Sequence, residues 1–280
     1  MAGNFVQLHN HTHYSLLDGA SKVPDLVKRV KELGMPAVGI TDHGNMHGAY
    51  ELWRAAVDSG VKPIIGIEAY VTPETARQDK TRVSWDTNWT PVPGHARNPD
   101  DVSGGGLITH LTMWAENDEG LVNLIKASSV ANLEGRVMRY PRMDKEVLST
   151  YSKGVIASSG CPSGIIQTRL RLGQFDEALR AAGEFQDIFG KDNFYIELMD
   201  HGLSIESKVT GDLLTIAKKL GAPLLATNDS HYVMEADKDA QDAMLCINSG
   251  ATLDDPNRFK FEGSGYYIKS AEEMRELFKD

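Results

Sequence analysis

Ala37-Val38-Gly39-Ile40-Thr41-Asp42-His43-Gly44 reads as an apolar strand that runs out into a histidine. Upstream, Ser21-Lys22-Val23-Pro24-Asp25 is a helix start, with Ser21 as cap and Pro24 in the first turn. Leu26, Val27, Val30 and Leu33 then form an apolar stripe that Gly34 ends. Downstream, a helix passes through Tyr50, Leu52, Trp53 and Val57 and stops at Gly60, and Ile64–Tyr70 forms another strand. Strand and helix alternate, which is the pattern of a parallel α/β architecture.

The alternation extends in both directions. Phe5–His9 precedes it as a first strand, and Leu107–Leu111, Val155–Ser158, Phe194–Leu198 and Pro223–Thr227 follow. Helices are expected through Leu121, Leu124 and Ile125, near Phe175–Phe189, and near Leu213–Leu220. Roughly seven strands result. Neither Rossmann glycines nor a P-loop is present, which disfavours an open nucleotide-binding sheet. Residues 73–106, rich in Pro, Gly, Asp and Trp, form a long irregular insertion after the third strand. Segments of that kind are usually functional or mobile. The expected organisation is a barrel over 1–250 and a tail over 251–280. After a helix near Glu235–Ile247, the tail reads as a hairpin (Asn257–Phe261 with Tyr266–Ile268) and a helix over Ala271–Phe278. That last helix is uncapped at the chain's end, as if the chain were the front of something longer.

Metal-capable residues recur where strands end. His9 and His11 alternate, so in an extended segment both imidazoles point the same way. His43, Glu68, His110 and Cys161 follow the next four strands, and Asp229 and His231 follow the seventh. Asp18 lies in the loop after the first. In a barrel of parallel strands the carboxyl ends share one face. Five histidines, three carboxylates and one cysteine would then meet there, too many for one tetrahedral ion, and two or three divalent ions are implied. Asp42 is read as orienting a ligand or capping a helix, and Glu197 and His201 as supporting or packing residues. His13, His47 and His95 stay outside the set.

With 280 residues and 41% hydrophobic content the chain supports a large core, and no stretch is long or apolar enough to cross a membrane. No secretory signal is visible, and two distant cysteines, Cys161 and Cys246, suit a reducing cytoplasm. A net charge of −10 does not favour gripping nucleic acid unaided. Bound cations would offset the carboxylates locally. The basic candidates for a strand are Arg136, Arg139, Arg142 and Lys145, spaced every three residues, with Arg169 and Arg171. Trp85 and Trp89 are candidates for base stacking.

His9-Asn10-His11, Tyr14–Gly19, Gly39–Gly44 and Gly66–Tyr70 resemble the PHP (polymerase and histidinol phosphatase) domain at the N-terminus of bacterial DNA polymerase III alpha subunits, the actinobacterial branch most of all. Thr109-His110-Leu111, Gly160–Gly164, Asn228–His231, Asn257–Phe261 and Tyr266–Ser270 continue the match. The resemblance implies a distorted seven-stranded (β/α)7 barrel. It implies that His9, His11, Glu68 and Asp229 hold one ion, and that Glu68, His110 and Cys161 hold a second, with Glu68 bridging. Asp18, His43 and His231 would hold a third. His13 departs from the family, where an acidic residue is commoner.

Clustered ions suit phosphodiester hydrolysis. The function expected from the resemblance is a 3′–5′ proofreading exonuclease at a DNA primer end, using zinc, or manganese, iron or magnesium in its place. Asp229, Glu68 and His11 would be its reacting centre. The remaining polymerase domains and replisome subunits are the implied partners, and nucleotidyl transfer would belong to those domains. Two rivals are a small-molecule phosphatase of the histidinol-phosphatase kind and a catalytically silent, metal-stabilised module of the polymerase. A barrel amidohydrolase also opens with His-x-His, but an eighth strand ending in a lone catalytic Asp is missing.

Overall fold

In the computed structural model, residues 5–92 and 97–279 are described; His95 lies outside them. In chain order the elements begin with α1 (Val23–Glu32), β1 (Ala37–Ile40), α2 (Ala49–Ser59) and β2 (Lys62–Val71). There follow α3 (Ser103–Gly106), β3 (Thr109–Ala115), α4 (Asp118–Glu134), β4 (Arg142–Met143), α5 (Lys145–Thr150) and β5 (Val155–Ser158). The rest are α6 (Ile165–Arg171), α7 (Phe175–Phe189), β6 (Phe194–Leu198), α8 (Ser204–Leu220), β7 (Leu224–Ala226), α9 (Lys238–Ser249) and α10 (Ala271–Leu277). The class is α/β, consistent with a distorted (β/α) barrel; the seven strands among the described residues count the two-residue β4, which pairs with β2 off the main path, and not the Phe5–His9 run. No helix among them is long and apolar enough to cross a membrane. Two compact units emerge: residues up to 67 with 199–203 and 226 onward, and residues 68–198 with 204–225.

In the first unit, Val23, Leu26, Val27 and Val30 of α1 face the core at helical spacing. They pack with Val38, Ile40, Leu52, Ala56, Val233 and Ile268. Every residue of β1 is buried, which is why it reads as an unbroken apolar run, and it pairs in parallel with β2 from Ala37↔Lys62 to Ile40↔Ile65. Lys22 rather than Ser21 takes the cap position of α1, without a side-chain bond. Ser21 is drawn away by pairing with Thr12, its carbonyl accepting from the His13 N–H at 2.9 Å.

The Phe5–His9 run occupies a strand's place without becoming a regular strand. On one side the Gly39 N–H donates to Gln7 O (2.8 Å) and the Thr41 N–H to Asn10 O (2.9 Å). On the other, the His11 N–H donates to Ser230 O (2.7 Å) and the Ser230 N–H to His9 O (3.1 Å). The Asn10 side-chain amide breaks the ladder by donating to the carbonyls of Gln7 (3.0 Å) and Gly39 (2.8 Å). The approach needs glycine at position 39, because a Cβ there would lie 2.5 Å from Leu8 O.

The expected tail hairpin does not form: residues 251–270 contain turns and bends but no paired strands. Their backbone is spoken for elsewhere. The His231 N–H donates to Tyr266 O (2.8 Å), the Ile268 N–H to Val233 O (3.2 Å), and Asn228 Nδ2 to the carbonyls of Gly265 and Tyr267 (2.8 Å each). Ser270 then starts α10 with a capping box closed by Glu273.

In the second unit, β3 runs antiparallel to β5, in register Thr112↔Ser158 to Ala115↔Val155, while β5–β6 and β2–β4 are parallel. An apolar run buried on both faces carries no mark of its direction, so the wholly parallel expectation fails at β3. Glu68 lies inside β2 and His110 is the second residue of β3, so neither ends its strand as expected. An antiparallel strand begins where its parallel neighbours end, so the reversal still carries His110 to the end of β5 that leads into Cys161. The insertion is tied down by Asp101, which accepts from Ser84 Oγ (2.6 Å) and the N–H groups of Trp85 (3.1 Å) and Val102 (2.7 Å).

Candidate metal centre

Within the first unit, four imidazoles and two carboxylates converge. Asp229 Oδ1 lies 3.0 Å from His11 Nε2, 3.3 Å from His9 Nε2 and 3.8 Å from His231 Nδ1. Asp18 Oδ2 lies 2.8 Å from His43 Nε2 and 3.1 Å from His231 Nε2. Donor atoms of His9, His11 and Asp229 all fall within 4.8 Å of one another, as do those of His11, Asp18, His43 and His231. The two groups share His11. Its ring centroid is 4.1 Å from that of His43 and 4.3 Å from that of His231. Protonated rings at such separations repel, whereas neutral rings turn lone pairs inward.

The surrounding hydrogen bonds orient those lone pairs. Asp42 is buried and accepts from the Thr12 N–H (2.7 Å) and from Ser15 Oγ (2.7 Å). With its proton given to Asp42, the Ser15 hydroxyl accepts from the His43 N–H (3.1 Å) and from His11 Nδ1 (3.0 Å). His11 therefore carries its proton on Nδ1 and presents the Nε2 lone pair to Asp229. His231 does likewise: Nδ1 donates to the Asp229 carbonyl (2.8 Å), leaving Nε2 toward Asp18. A carboxylate facing an imidazole lone pair is two acceptors without a proton between them. A divalent cation resolves that conflict, and the donor set fits one.

Without a cation, a proton is drawn between the same partners. Burial opposes charge on Asp229, but His9, His11 and His231 outweigh it and hold the carboxyl well below the usual carboxylate range. Asp18 is lowered in the same way, with His231 and His43 overcoming burial. Burial works against the His231 imidazolium, yet Asp18 and Asp229 raise its pKa. Asp229 itself takes φ 43°, a left-handed backbone that Asp tolerates better than most side chains. His201 Nε2 bonds the Asn228 carbonyl (2.9 Å) and its ring stacks on Tyr266 at 4.1 Å. Lys269 Nζ donates to Asn228 Oδ1 at 2.7 Å, and Gln241 donates to the Asp18 carbonyl at 3.0 Å.

In the second unit, His110 Nδ1 lies 3.0 Å from Glu68 Oε1 and 3.4 Å from Cys161 Sγ. Glu68 is fully buried and Cys161 nearly so. Glu197 accepts from Ser158 Oγ and donates its N–H to Ser159 Oγ (2.9 Å). Each unit thus brings its share of the expected donors together, and the clusters fit polynuclear metal binding. His13, 3.8 Å from Glu51, and the exposed His47 stand outside these groups.

Two of the candidate nucleic-acid contacts are engaged within the protein. Arg142 is fully buried, its guanidinium donating to the carbonyls of Arg77 and Asp79 (2.7 Å each), Gly135 (3.1 Å) and Leu107 (3.3 Å). The every-third-residue spacing lies outside any one helix, so it does not define a face. Arg169 pairs with Glu74, donates to Gln174 (2.6 Å) and lies 3.8 Å over the Trp85 ring, which occupies that ring as well. Arg171 is buried too, while Arg136 and Arg139 are exposed. The orienting residues Thr12, Ser15, Asn228 and Lys269 escaped sequence reading. The one signal for them in the sequence is that Ser15 and Asn228 lie within motifs that carry donors, Tyr14–Gly19 and Asn228–His231.

Residues 7–201 match the PHP domain family. The chain is similar to the DNA polymerase III subunit alpha of Mycobacterium leprae, with 53% identity over 277 residues, covering 99% of this chain and 23% of that protein. The corresponding subunits of Mycobacterium tuberculosis (52% over 277 residues, 99% and 23%) and Saccharopolyspora erythraea (54% over 274 residues, 98% and 23%) are comparably similar. The chain therefore spans about a quarter of the length of these curated relatives. With the match over residues 7–201 it belongs to the PHP domain family.

Proposed function

We propose that the chain is a metal-dependent phosphodiesterase acting as a 3′–5′ exonuclease at DNA primer ends, as the N-terminal part of a cytoplasmic DNA polymerase III alpha subunit. The observation that carries this reading is the pair of buried donor groups sharing His11, in which Asp229 and Asp18 face imidazole lone pairs. Divalent ions, when bound there, would neutralise phosphodiester charge and would make water acidic enough to lose a proton near neutral pH. His9, His11 and Asp229 would hold one, and Asp18, His43 and His231 another. Glu68, His110 and Cys161 would form the second unit's site. Zinc suits a set dominated by imidazole with one thiol, and manganese, iron or magnesium are its competitors.

The protein's own groups prepare the reaction. Asp42 and Ser15 hold His11 in one tautomer, and the Asp229 carbonyl holds His231. Asp18 and Asp229, kept ionised by the histidines, cannot themselves donate a proton. Hydrolysis adds water across the terminal P–O3′ bond: hydroxide joins phosphorus, the proton goes to the departing O3′, and a nucleoside 5′-monophosphate leaves. Arg136 and Arg139, both exposed, would be the ones to approach the strand. Polymerisation, and contacts with other replisome subunits, would belong to the longer protein.

The test is primer trimming by the wild type and by Asp229→Asn, each with its metal content measured. Full-rate trimming of a mismatched primer by folded, metal-stripped Asp229→Asn would make the assignment wrong. Faster hydrolysis of a phosphate monoester than of a primer end would favour a small-molecule phosphatase. Metal that raises the melting temperature without any hydrolysis would favour a silent structural module.

A further inference from the structure

In the second unit, the segment that carries Cys161 is held one carbonyl at a time. Every carbonyl from Gly160 to Gly164 accepts a hydrogen bond. The N–H groups of Gly164, His110 and Thr168 donate to Cys161 O (2.8 Å), Ser163 O (3.0 Å) and Gly164 O (3.0 Å). The two carbonyls that flank the cysteine accept from side chains. Gln167 Nε2 donates to Gly160 O at 2.8 Å, and Arg171 Nη1 donates to Pro162 O. Gln167 and Arg171 stand four residues apart on α6, so they share one helix face. Both are almost wholly buried, at 3% and 7% exposure.

Burying a guanidinium costs more than one backbone carbonyl recovers, so its other contacts matter. Arg171 Nη2 donates to Asp100 O at 3.2 Å and to Thr168 Oγ1 at 3.4 Å, and Nε lies 3.6 Å from Asp100 Oδ1. Lys208 Nζ donates to Arg171 O at 3.0 Å. The guanidinium is thereby fixed between the insertion, through Asp100, and the Cys161 segment, through Pro162. With the carbonyl on each side of Cys161 held, its Cα–Cβ bond has one direction. The thiol then lies 3.4 Å from His110 Nδ1, which is itself 3.0 Å from Glu68 Oε1.

We propose that Gln167 and Arg171 are positioning residues for Cys161. They hold its thiol against His110 and so preform the second unit's donor set, with the insertion anchored to that set through Asp100. The inference rests on the reading above in which Glu68, His110 and Cys161 receive a metal ion.

Cobalt(II), added to the whole chain, is the probe, because thiolate bound to cobalt gives a charge-transfer absorption that imidazole and carboxylate do not. Cys161→Ser should abolish that band. Arg171→Met and Gln167→Met each remove the donor at similar bulk, and each is expected to weaken cobalt binding at the band-bearing site about 10–100-fold. Arg171→Lys keeps a cationic donor and should regain part of the loss. A residue that only stabilised the fold would lower the melting temperature and leave the cobalt titration of folded protein where it was. Unchanged titrations in both methionine variants overturn the proposal.

A second measurement needs no metal. Iodoacetamide labelling, read at each cysteine by peptide mass, should be about tenfold faster at Cys161 in either methionine variant, the order expected from losing one buried hydrogen bond, with Cys246 unchanged. If no band that depends on Cys161 forms in the wild type, the metal reading of this site fails by itself and labelling decides the positioning role. Faster labelling at Cys161 alone then supports it, and an unchanged rate overturns it. Should Arg171→Met fail to fold, Gln167→Met and Arg171→Lys carry the same two readouts.

Discussion

Asp18 Oδ2 lies 3.1 Å from His231 Nε2 although 213 residues separate the two in the chain. A neutral His231 commits its one proton, on Nδ1, to the Asp229 carbonyl, and the two facing atoms are then both acceptors. Chain closure over such a separation is entropically costly, and the contact is favourable only with a proton or a cation between the partners.

Asp229→Asn preserves shape and removes the charge that meets His9 and His11. Hydrolysis is expected to fall at least a hundredfold, with at least one equivalent of metal lost. Kinetics and elemental analysis check this, with circular dichroism to confirm that the fold is retained.

Ser15→Ala cuts the connection between Asp42 and His11. Metal affinity should drop about 10–100-fold, the usual range for loss of an orienting partner. Competition with a chelator of known affinity measures it, and Ser15→Thr, which keeps the hydroxyl, should recover part of the loss.

In metal-free protein, pH acts with two signs. Asp18 and Asp229 have lowered pKa values, so their stabilisation is present above the unfolded value near 4 and is lost as pH falls through the folded ones. His231 has a raised value, so its contribution is full below about 6.5 and is lost as pH rises through the folded pKa. Metal requires neutral imidazoles, so the gain in melting temperature on adding zinc should increase from pH 6 to pH 8. Melting curves with zinc and with a chelator test this, and a gain that shrinks across the interval would contradict it.

Arg142→Ala should destabilise the protein by on the order of 3–5 kcal/mol, because it leaves the carbonyls of Arg77, Asp79, Gly135 and Leu107 without their buried donor. Arg136→Ala, at an exposed site, should change stability by less than about 0.5 kcal/mol. Urea denaturation separates the two. Only Arg136→Ala is informative about DNA affinity.

Several elements were legible because they rest on local chemistry. The stripe of α1, the termini of α7 and the buried β1 follow from periodicity and apolar content. The His-x-His segment was recognised, but the ladder broken by Asn10 was not, since a side chain competing for carbonyls is visible only once they are placed. The tail has the local pattern of a hairpin, yet its backbone bonds go to residues 228–233, which no local pattern records.

The sequence by itself determined which residues could act as donors and that strands and helices would alternate, because side-chain chemistry and hydrophobic period are properties of neighbours in the chain. Tertiary structure alone decided the direction of β3, the burial of Arg142, and the tautomers of His11 and His231. Each of these depends on hydrogen-bond partners far away in sequence, whose positions exist only after the chain has folded.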